Sequence, residues 1–358
     1  MKVALLGDTH IGARNDNPAF HKLFAKFYDN VFFPYLEQHN ILHVIQLGDV
    51  FDRRKYINFN SLQLGKQYFF DRLNQNYTSW VLVGNHDSYY KNTIDVNSPS
   101  LLFKGYNNIN CVEKPTEIEL EGVKMMMIPW WCEENDTSIR EALESTNATH
   151  VIGHFEIDGF EMYTGMPHQG GLTRKAFSKF ETVWTGHFHH QSKQGNIHYL
   201  GTPYEMTWSD FGDQKGFHVF DTETRELTFV PNPHTIFKKV HYDDSSQLID
   251  NVLGIDFSQY NETFVKLIVR NKTNPYWFDM FVDKLEKAGV YSVQVVDDHF
   301  HMDTEADVDI TSEAEDTLTI LTKYVHQVDA GVDKTQLASV MMNLYNEALR
   351  VEIGRAHV

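Results

Sequence analysis

Cysteine is scarce in the 358-residue sequence, where only Cys111 and Cys132 occur. Two thiols form neither a disulfide framework nor a thiolate zinc cluster, and they fit a reducing compartment. Basic residues are also few, with 31 Lys and Arg against 49 Asp and Glu and a net charge of −18. A general electrostatic attraction to nucleic acid or to an anionic membrane is therefore excluded as the main binding force. A polyanionic ligand would need a local basic patch or bound cations.

Long apolar stretches are missing as well. No window approaches the roughly 18 consecutive apolar residues that a transmembrane helix requires, and the run at Met1–Leu6 is too short for a signal peptide. We therefore expect a soluble, cytoplasmic protein. Apolar side chains nevertheless make up 42% of the residues, enough for a real core, and the length predicts two or three domains.

Histidine is abundant, with 19 residues, and several histidines follow a recurrent pattern. Five short apolar runs each lead into a glycine and then into polar residues able to bind metal. The five blocks are Gly7-Asp8-Thr9-His10, Gly48-Asp49, Gly84-Asn85-His86-Asp87, Gly153-His154 and Gly186-His187-Phe188-His189. Short apolar runs bounded by glycine predict buried strands, and in open α/β sheets functional residues gather beyond the carboxyl ends of strands. The pattern therefore predicts that these side chains converge on one region.

Alternating element types predict an α/β (α+β) fold. Helical spacing of apolar residues over 20–38 and 61–73 places helices between the first strands, which is typical of layered α/β structure. From Glu117 onward, short strands joined by tight turns predict a second sheet of mixed or antiparallel strands. The strands predicted in this part are Glu117–Leu120, Val123–Ile128, Ile197–Leu200, Phe217–Phe220 and Leu227–Val230.

The segment Asn232-Pro233-His234 is a candidate domain boundary. Beyond it, a strand at Phe264–Val269, a helix at Pro275–Ala288 and a strand at Val290–Val296 form a small β-α-β unit. An acidic stretch follows, typical of a solvated linker, and then two amphipathic helices that either pack on their own domain or dock on a partner. We therefore expect three parts, at residues 1–235, 236–300 and 301–358.

The residue types in the five blocks suit a metal centre. Each block alone is a weak signal, because strand-end histidines are more often hydrogen-bonded core groups. Together, two aspartates, one asparagine and four histidines give oxygen and nitrogen donors without thiolate, which suits manganese, iron or zinc. Seven donors for two ions leave positions for water and a substrate oxygen, and a bridging carboxylate holds two ions about 3.5–4 Å apart. The seven donors are Asp8, His10, Asp49, Asn85, His154, His187 and His189.

The five blocks, in this order, resemble those of the calcineurin-like metallophosphoesterase family over roughly residues 1–235. The resemblance implies a two-sheet sandwich flanked by helices that holds two divalent ions, manganese first, with magnesium, iron or zinc as alternatives. It implies one ion bound by Asp8, His10, Asp49 and His189. It implies a second ion bound by Asp49, Asn85, His154 and His187, with Asp49 as the bridge. His86 would be catalytic, reaching the leaving oxygen or the scissile phosphate, and Asp87 would be a structural hydrogen-bonding residue.

Within the family, the block Gly48-Asp49-Val50-Phe51-Asp52 resembles the DNA-repair nuclease (SbcD-like) branch. Ile128-Pro129-Trp130 and Leu200-Gly201-Thr202-Pro203 look like the same branch, and the whole chain is similar to recombination endonuclease subunits of T-even-type phages. This implies the catalytic subunit of a DNA recombination and repair complex with a coiled-coil ABC-type ATPase. It implies double-strand exonuclease and single-strand endonuclease activities, a cap that helps to position DNA, and tail helices that bind the ATPase.

Three further expectations concern single segments. Asp52 replaces a histidine found in some members of the branch, and we interpret it as orienting His86, with a helix cap as the alternative. The basic run Arg53, Arg54 and Lys55 either contacts the phosphate backbone of DNA or consists of solvated loop charges. The aromatics of Phe24–Phe32 and Tyr68–Phe70 exceed what one buried face needs, and their counterparts form dimer contacts in relatives, so we expect a homodimer.

Two other classes of function stay open at this point. The first is a phosphatase or cyclic-nucleotide phosphodiesterase of the same fold, which DNA substrates would separate from a nuclease. The second is a metal-binding scaffold without turnover that only recruits the ATPase. Asp8, Asn85, His86 and His189 argue against the scaffold, because a protein without catalysis has no chemical need for the whole set.

Overall fold

The computed structural model describes residues 1–163, 166–168, 170–245 and 249–297, all within a compact unit that spans Met1–Glu305. The two amphipathic helices and most of the acidic stretch predicted for 301–358 lie outside these ranges. Within the described residues, no helix is both long and apolar enough to cross a membrane.

The strands in the described residues are numbered in chain order. They are β1 (Lys2–Leu6), β2 (His43–Gln46), β3 (Thr78–Leu82), β4 (Ile109–Val112), β5 (Thr116–Leu120), β6 (Val123–Ile128), β7 (His150–His154), β8 (Glu161–Tyr163), β9 (Met166–Pro167), β10 (Thr182–Gly186), β11 (Ser192–Gln194), β12 (Ile197–Tyr199), β13 (Gly216–Asp221), β14 (Leu227–Pro231), β15 (Phe237–Asp243), β16 (Phe264–Asn271) and β17 (Ser292–Asp297).

Two six-stranded sheets form the body of the protein. The first sheet has the order β14-β13-β1-β2-β3-β4, in which β1 to β4 are parallel and β13 and β14 are antiparallel additions. The second has the order β11-β12-β10-β7-β6-β5, with parallel pairs in its centre and antiparallel pairs at both edges. The predicted α/β class with two packed sheets is confirmed.

One detail of the predicted topology is wrong. The strands predicted at Phe217–Phe220 and Leu227–Val230 were assigned to the second sheet, whereas β13 and β14 extend the first sheet through antiparallel pairing of β13 with β1. Local sequence indicates that a strand forms but carries no information on which distant strand it pairs with. The mixed character predicted for the second sheet is confirmed by its remaining strands.

Alternation along the strands creates a layered core. In β1, Val3 and Leu5 face the second sheet, where they join Ile152 of β7 and Trp184 of β10 in one buried cluster. The neighbouring residues of β1 face the opposite way, toward the helices that cover the first sheet. A separate apolar cluster covers the outer face of the second sheet. Because successive strand residues point to opposite faces, both central sheets are buried on both sides.

Helices occupy the connections between strands. The described α-helices include Pro18–Phe27, Phe33–Gln38, Phe59–Gly65, Asp71–Asn76, Ser98–Leu102, Asp136–Ser145, Ile249–Leu253 and Pro275–Lys287. The first two are joined by a π-helical turn, Tyr28–Phe32, and the next two by another, Lys66–Phe70. Pro34 has no N–H to donate, so a widened turn before it accommodates the ring within an otherwise continuous helix. The helices predicted over 20–38 and 61–73 thus form, each with one irregular turn.

Residues 237–297 carry a parallel three-stranded sheet of order β15-β16-β17 with the helix Pro275–Lys287 against it. The predicted β-α-β unit is present, and β15 adds a strand that the sequence did not reveal. This sheet is attached to the first helix, where Phe20 stacks on Phe264 at 5.6 Å between centroids and Lys26 pairs with Glu262 at 2.6 Å.

The aromatic residues that suggested a dimer are buried within the chain. Phe24, Phe27 and Phe32 are fully buried, and Tyr28 stacks on Phe69 with ring centroids 4.5 Å apart. Tyr204 packs on Phe24 and donates a hydrogen bond from its hydroxyl to the carbonyl oxygen of Thr9 at 2.6 Å. The aromatic excess therefore fills the intramolecular space between the helices and the first sheet, and gives no support to a dimer surface.

Candidate metal centre

The five polar blocks meet where the two sheets end. Asp8 and His10 follow β1, Asp49 follows β2, and Asn85 follows β3, all in the first sheet. In the second sheet, His154 ends β7, and His187 and His189 follow β10. The carboxyl ends of neighbouring parallel strands share one edge of a sheet, so both sheets deliver polar side chains to the same place. All seven predicted donors are brought together.

The first donor group consists of Asp8, His10 and His189, whose ligand atoms lie within 4.8 Å of one another. The Nε2 atoms of His10 and His189 face each other at 3.1 Å. In each neutral ring only one nitrogen carries a proton, so two inward-facing nitrogens can offer lone pairs to one cation.

The second donor group consists of Asp49, Asn85, His154 and His187. The Asn85 Oδ1 lies 2.8 Å from His154 Nε2 and 2.9 Å from His187 Nδ1. His154 donates from Nδ1 to the carbonyl oxygen of Leu47 at 2.8 Å, which directs its Nε2 toward the group. Such a backbone contact fixes the tautomer and ring orientation of a histidine ligand.

Asp49 connects the two donor groups. Its Oδ2 lies 3.3 Å from His154 Nε2 in the second group and 3.7 Å from His10 Nε2 in the first. Its Oδ1 accepts a hydrogen bond from the backbone N–H of His86 at 2.7 Å. One buried carboxylate therefore faces histidines of both groups, which is the position that a bridging ligand needs.

The electrostatics of the centre favour positive charge. Burial raises the pKa of Asp8 well above its ordinary value, and the nearby Asp49 adds to the rise. Burial alone would lower the pKa of His154, but the carboxylates of Asp49 and Asp8 overcome it and raise that pKa to about 9. A proton on His154 thus partly neutralises two buried carboxylates that bound cations would neutralise more fully.

The donor set fits divalent metal ions. The Oδ1 atom of Asp8 is buried without a hydrogen-bond partner. The Nε2 atoms of His10 and His189 face each other and, among the described residues, contact no carbonyl or carboxylate oxygen at hydrogen-bond distance. A buried carboxylate oxygen without a hydrogen-bond partner requires an explanation, and a bound cation would supply one beside two imidazole nitrogens. Mixed imidazole, amide and carboxylate donors without thiolate suit first-row transition metals.

The backbone at the centre is unusual. Three of the donor residues have positive φ, with values of 39° for His10, 52° for Asp49 and 86° for His187. Positive φ is uncommon outside glycine and clusters at functional sites. Gly48 precedes Asp49 with φ of 99°, and a Cβ there would lie 2.7 Å from His154 Nδ1. The glycine of this block is therefore required both by the turn and by the close approach of a donor.

His86, Asp52 and Asp87 form the support around Asp49. The His86 ring uses Nδ1 to donate to the carbonyl oxygen of Asp52, while the Asp52 carboxylate lies 3.6 Å from His10 Nδ1. The backbone carbonyl of Asp52, and not its side chain, contacts the His86 ring, and no helix begins at Asp52, because the next helix begins at Phe59. Asp87 accepts hydrogen bonds from the backbone N–H groups of Val50 and Gly84 at 3.0 and 2.9 Å. Burial, with Asp49 nearby, raises the pKa of Asp87 to about 6.

The basic run is divided among different environments. Arg53 pairs with Asp16 at 3.1 Å, whereas Lys55 is exposed. Burial lowers the pKa of Arg54, and the carboxylates of Asp49 and Asp87 oppose that effect. The charge of Arg54 therefore interacts with the buried carboxylates of Asp49 and Asp87.

Two supporting features were not anticipated as parts of the site. The ring of Trp130 lies 5.2 Å from that of His187, and covers the second donor group from one side. Lys215 is 4% exposed and donates to the carbonyl oxygen of His189 at 2.9 Å, while pairing with Asp210 at 2.6 Å. His190, Asp210 and Asp213 also form a possible metal group, but the Lys215 ammonium already neutralises the carboxylates there. Neither Trp130 nor Lys215 follows a glycine block, so spacing alone could not reveal them.

The geometry and the family comparison agree. Residues 1–191 match the calcineurin-like phosphoesterase family, and the chain belongs to that family. Membership carries the expectation of divalent metal ions, for which the two donor groups are the candidate site. The resemblance inferred from the five blocks is thereby confirmed.

Two viral relatives extend the comparison. The chain is 31% identical to exonuclease subunit 1 of Enterobacteria phage T4 over 357 residues, which covers 97% of this chain and 99% of the phage protein. It is 26% identical over 217 residues to a protein of Invertebrate iridescent virus 3 that is named as a phosphoesterase, covering 56% of this chain and 57% of that protein. The solved structure of an archaeal phosphodiesterase is 12% identical, and the match covers 65% of this chain and all of that chain. Its TM-score of 0.34 is too low to support a conclusion about fold or function.

Proposed function

We propose that this phosphoesterase is a DNA nuclease that uses two divalent metal ions, as an exonuclease on duplex ends and an endonuclease on single strands. The observation that carries the proposal is the position of Asp49 between two donor groups. The name of the phage T4 relative supports DNA as the substrate, because that protein is called an exonuclease subunit.

In this proposal the seven donors divide between two ions. Asp8, His10, Asp49 and His189 hold one, and Asp49, Asn85, His154 and His187 hold the other. Bound there, two divalent cations would supply Lewis-acid stabilisation of a phosphodiester and a water of lowered pKa. The protein fixes the donors through the Leu47 carbonyl behind His154 and the Lys215 contact behind His189. Manganese is the ion we expect, with magnesium, iron or zinc as alternatives.

His86 is the proposed catalytic residue. Its Nδ1 donates to the Asp52 carbonyl, so a protonated ring keeps Nε2–H available to donate to the leaving oxygen of the cleaved strand. The ring is 8% exposed and lies edge-on to His10 with centroids 4.8 Å apart. This position beside the first donor group is consistent with a proton donor at the scissile phosphate.

Charge explains how an acidic chain would bind DNA. Two divalent cations would add about four positive charges to a centre whose donor carboxylates are Asp8 and Asp49. The charge of Arg54 interacts with Asp49 and Asp87, and Arg53 and Lys55 adjoin it in the chain. We propose that this run contacts phosphates next to the cleaved bond. In this proposal, the positive charge needed to bind a polyanion is concentrated at the bound cations and the basic run.

The partner proposals concern the rest of the chain. The phage T4 relative is named a subunit, which supports assembly with other chains. We propose that the partner is a coiled-coil ABC-type ATPase bound by the helices predicted within 301–358, and that residues 236–300 form a DNA-positioning cap. We also propose that the protein acts as a homodimer in the host-cell cytoplasm. The support for a homodimer is the family resemblance alone, since the aromatic residues that indicated one are buried within the chain. Truncation before Ala314 should spare basal cleavage and abolish ATPase binding. If the truncated chain still binds the ATPase, the tail assignment is wrong.

The deciding experiment compares substrates and metals. Purified protein is given linear duplex DNA, circular single-stranded DNA, a cyclic nucleotide and a chromogenic phosphomonoester, each with manganese, magnesium or chelator. We expect manganese-dependent cleavage of both DNAs. Hydrolysis of the monoester or the cyclic nucleotide with intact DNA would instead establish the competing phosphatase or phosphodiesterase function.

A further inference from the structure

Exposed aromatic side chains are concentrated in two chain segments that also carry residues of the candidate site. In the described part of the chain, the large aromatics with exposed side chains are Tyr56, Phe59, Tyr89, Tyr90, Phe211 and Tyr276. The first four lie in the two segments that follow β2 and β3, which also carry Asp49, Asn85 and His86. Tyr56, Tyr89 and Tyr90 are 62%, 39% and 52% exposed. Single exposed aromatics are ordinary, but three on adjoining segments form a surface that needs an explanation.

The three tyrosines, which we call the tyrosine platform, follow residues of the candidate site closely in the chain. Tyr56 is four residues beyond Asp52, whose carbonyl holds the His86 ring, and Tyr89 is three residues beyond His86. The Tyr89 and Tyr90 rings meet edge to face with centroids 4.8 Å apart. The Lys55 ammonium lies 6.0 Å from the Tyr89 centroid and so connects the two segments.

Positive charge accompanies the rings. The guanidinium carbon of Arg53, which pairs with Asp16, lies 4.9 Å from the centroid of Tyr56, and the exposed Lys55 lies near Tyr89. The chain as a whole carries a net charge of −18, so basic residues grouped with exposed aromatic rings are unusual for its composition. Aromatic faces for stacking and cations for phosphates are the two elements of single-strand binding surfaces.

We propose that the tyrosine platform binds unpaired bases of single-stranded DNA next to the scissile phosphate, with Lys55 and Arg54 contacting the phosphates between them. The inference rests on the proposed nuclease function and specifies that the DNA strand is unpaired where it enters the site. Within a duplex, both faces of each base are covered by its neighbours, and at an end only the outer face of the terminal pair is open. Stacking on more than one tyrosine ring therefore requires unpaired nucleotides. A duplex end would therefore be bound with its terminal nucleotides separated.

The test separates stacking from charge. Fluorescence anisotropy, measured in EDTA so that no strand is cut, compares a labelled oligodeoxythymidylate with an abasic oligonucleotide of the same length and charge. The full chain should bind the thymidylate about fivefold to a hundredfold more tightly, the range expected for one stacked base. Tyr56→Ser and Tyr89→Ser should each reduce this preference, while binding of the abasic strand changes little.

The control is Leu42→Ser, which removes an apolar side chain that is 59% exposed just before β2, at the end of that strand opposite to Asp49. It should keep the full preference for thymidylate. Equal binding of both oligonucleotides by the unmodified protein, or an unchanged preference in the two platform variants, would overturn the proposal. If the protein cleaves DNA but does not prefer thymidylate to the abasic strand, the nuclease function stands and the binding role of the tyrosine platform is overturned. A preference without any DNA cleavage overturns the nuclease function alone.

Discussion

The buried ammonium group of Lys215 donates a hydrogen bond to the carbonyl oxygen of His189 at 2.9 Å, and thereby ties a candidate metal ligand to the protein interior. The same ammonium pairs with Asp210, which is fully buried and also accepts from the backbone N–H groups of Met206 and Thr207. The loop after β10 is therefore held from behind by one charged network.

Replacement of this lysine should damage both stability and metal binding. Lys215→Met leaves the Asp210 carboxylate buried without its counter-charge, so the free energy of unfolding should fall by about 3–5 kcal/mol. Urea unfolding measures the loss, and Lys215→Met combined with Asp210→Asn should recover part of it. The exposed Lys193 provides the control, since Lys193→Met should leave stability unchanged. Equal stability of Lys215→Met and Lys193→Met would show that the network contributes nothing.

His86→Ala should abolish cleavage while the protein keeps its metals. Loss of a positioned proton donor lowers the rate by about a hundredfold to ten thousandfold. Metal content measured by atomic emission, and DNA binding, should match those of the unmodified protein, because His86 is in neither donor group. The exposed His39 supplies the matched substitution, His39→Ala, which should cleave normally. Full activity in His86→Ala would refute the assigned role.

Metal addition should stabilise the protein through Asp49. A ligand that binds only the folded state raises stability with its concentration, by about 2.7 kcal/mol at a hundredfold excess over its Kd. Thermal unfolding with and without manganese should therefore show a higher Tm with the ion. In Asp49→Asn the shift should largely disappear, because one substitution weakens both donor groups, whereas Asp95→Asn on the exposed loop should retain it. An undiminished shift in Asp49→Asn would exclude the bridging assignment.

Acid sensitivity should decrease when a buried histidine away from the metal centre is removed. Burial, with a smaller effect of His198, lowers the pKa of His218 from 6.5 to about 4. The unfolded chain therefore binds a proton that the folded chain excludes, and stability falls as pH decreases from 6.5 to about 4. His218→Phe should remove up to about 3 kcal/mol of this decline. Urea unfolding between pH 6.5 and about 4 measures the free energy of unfolding of the two proteins, with the exposed His39→Phe as the control. If stability falls equally with pH in His218→Phe and in the unmodified protein, the prediction is wrong.

The sequence was sufficient to predict that the polar side chains converge and insufficient for their surroundings. Strands ending in glycine and a polar residue are locally encoded, so the convergence of Asp8, Asn85 and His187 followed from their positions at strand ends. The pairing of β13 with β1 joins residues far apart in the chain, and no local pattern specifies it. Lys215 was equally hidden, because its role depends on which carbonyl oxygen the folded chain brings to it.

The buried layer between the sheets has a consequence for the metal centre. The first sheet carries Asp8, Asp49 and Asn85, while the second carries His154, His187 and His189, so no single sheet contains a complete donor group. Interior side chains such as Leu5 and Trp184 set the separation of the two sheets, and close-packed interiors transmit changes of even one methylene. Apolar residues remote from the candidate site thus set the distance between the strand ends that carry the two donor groups. In the proposed two-metal centre, a change in core volume would alter the spacing of the donors, and with it the metal preference, without changing any ligand.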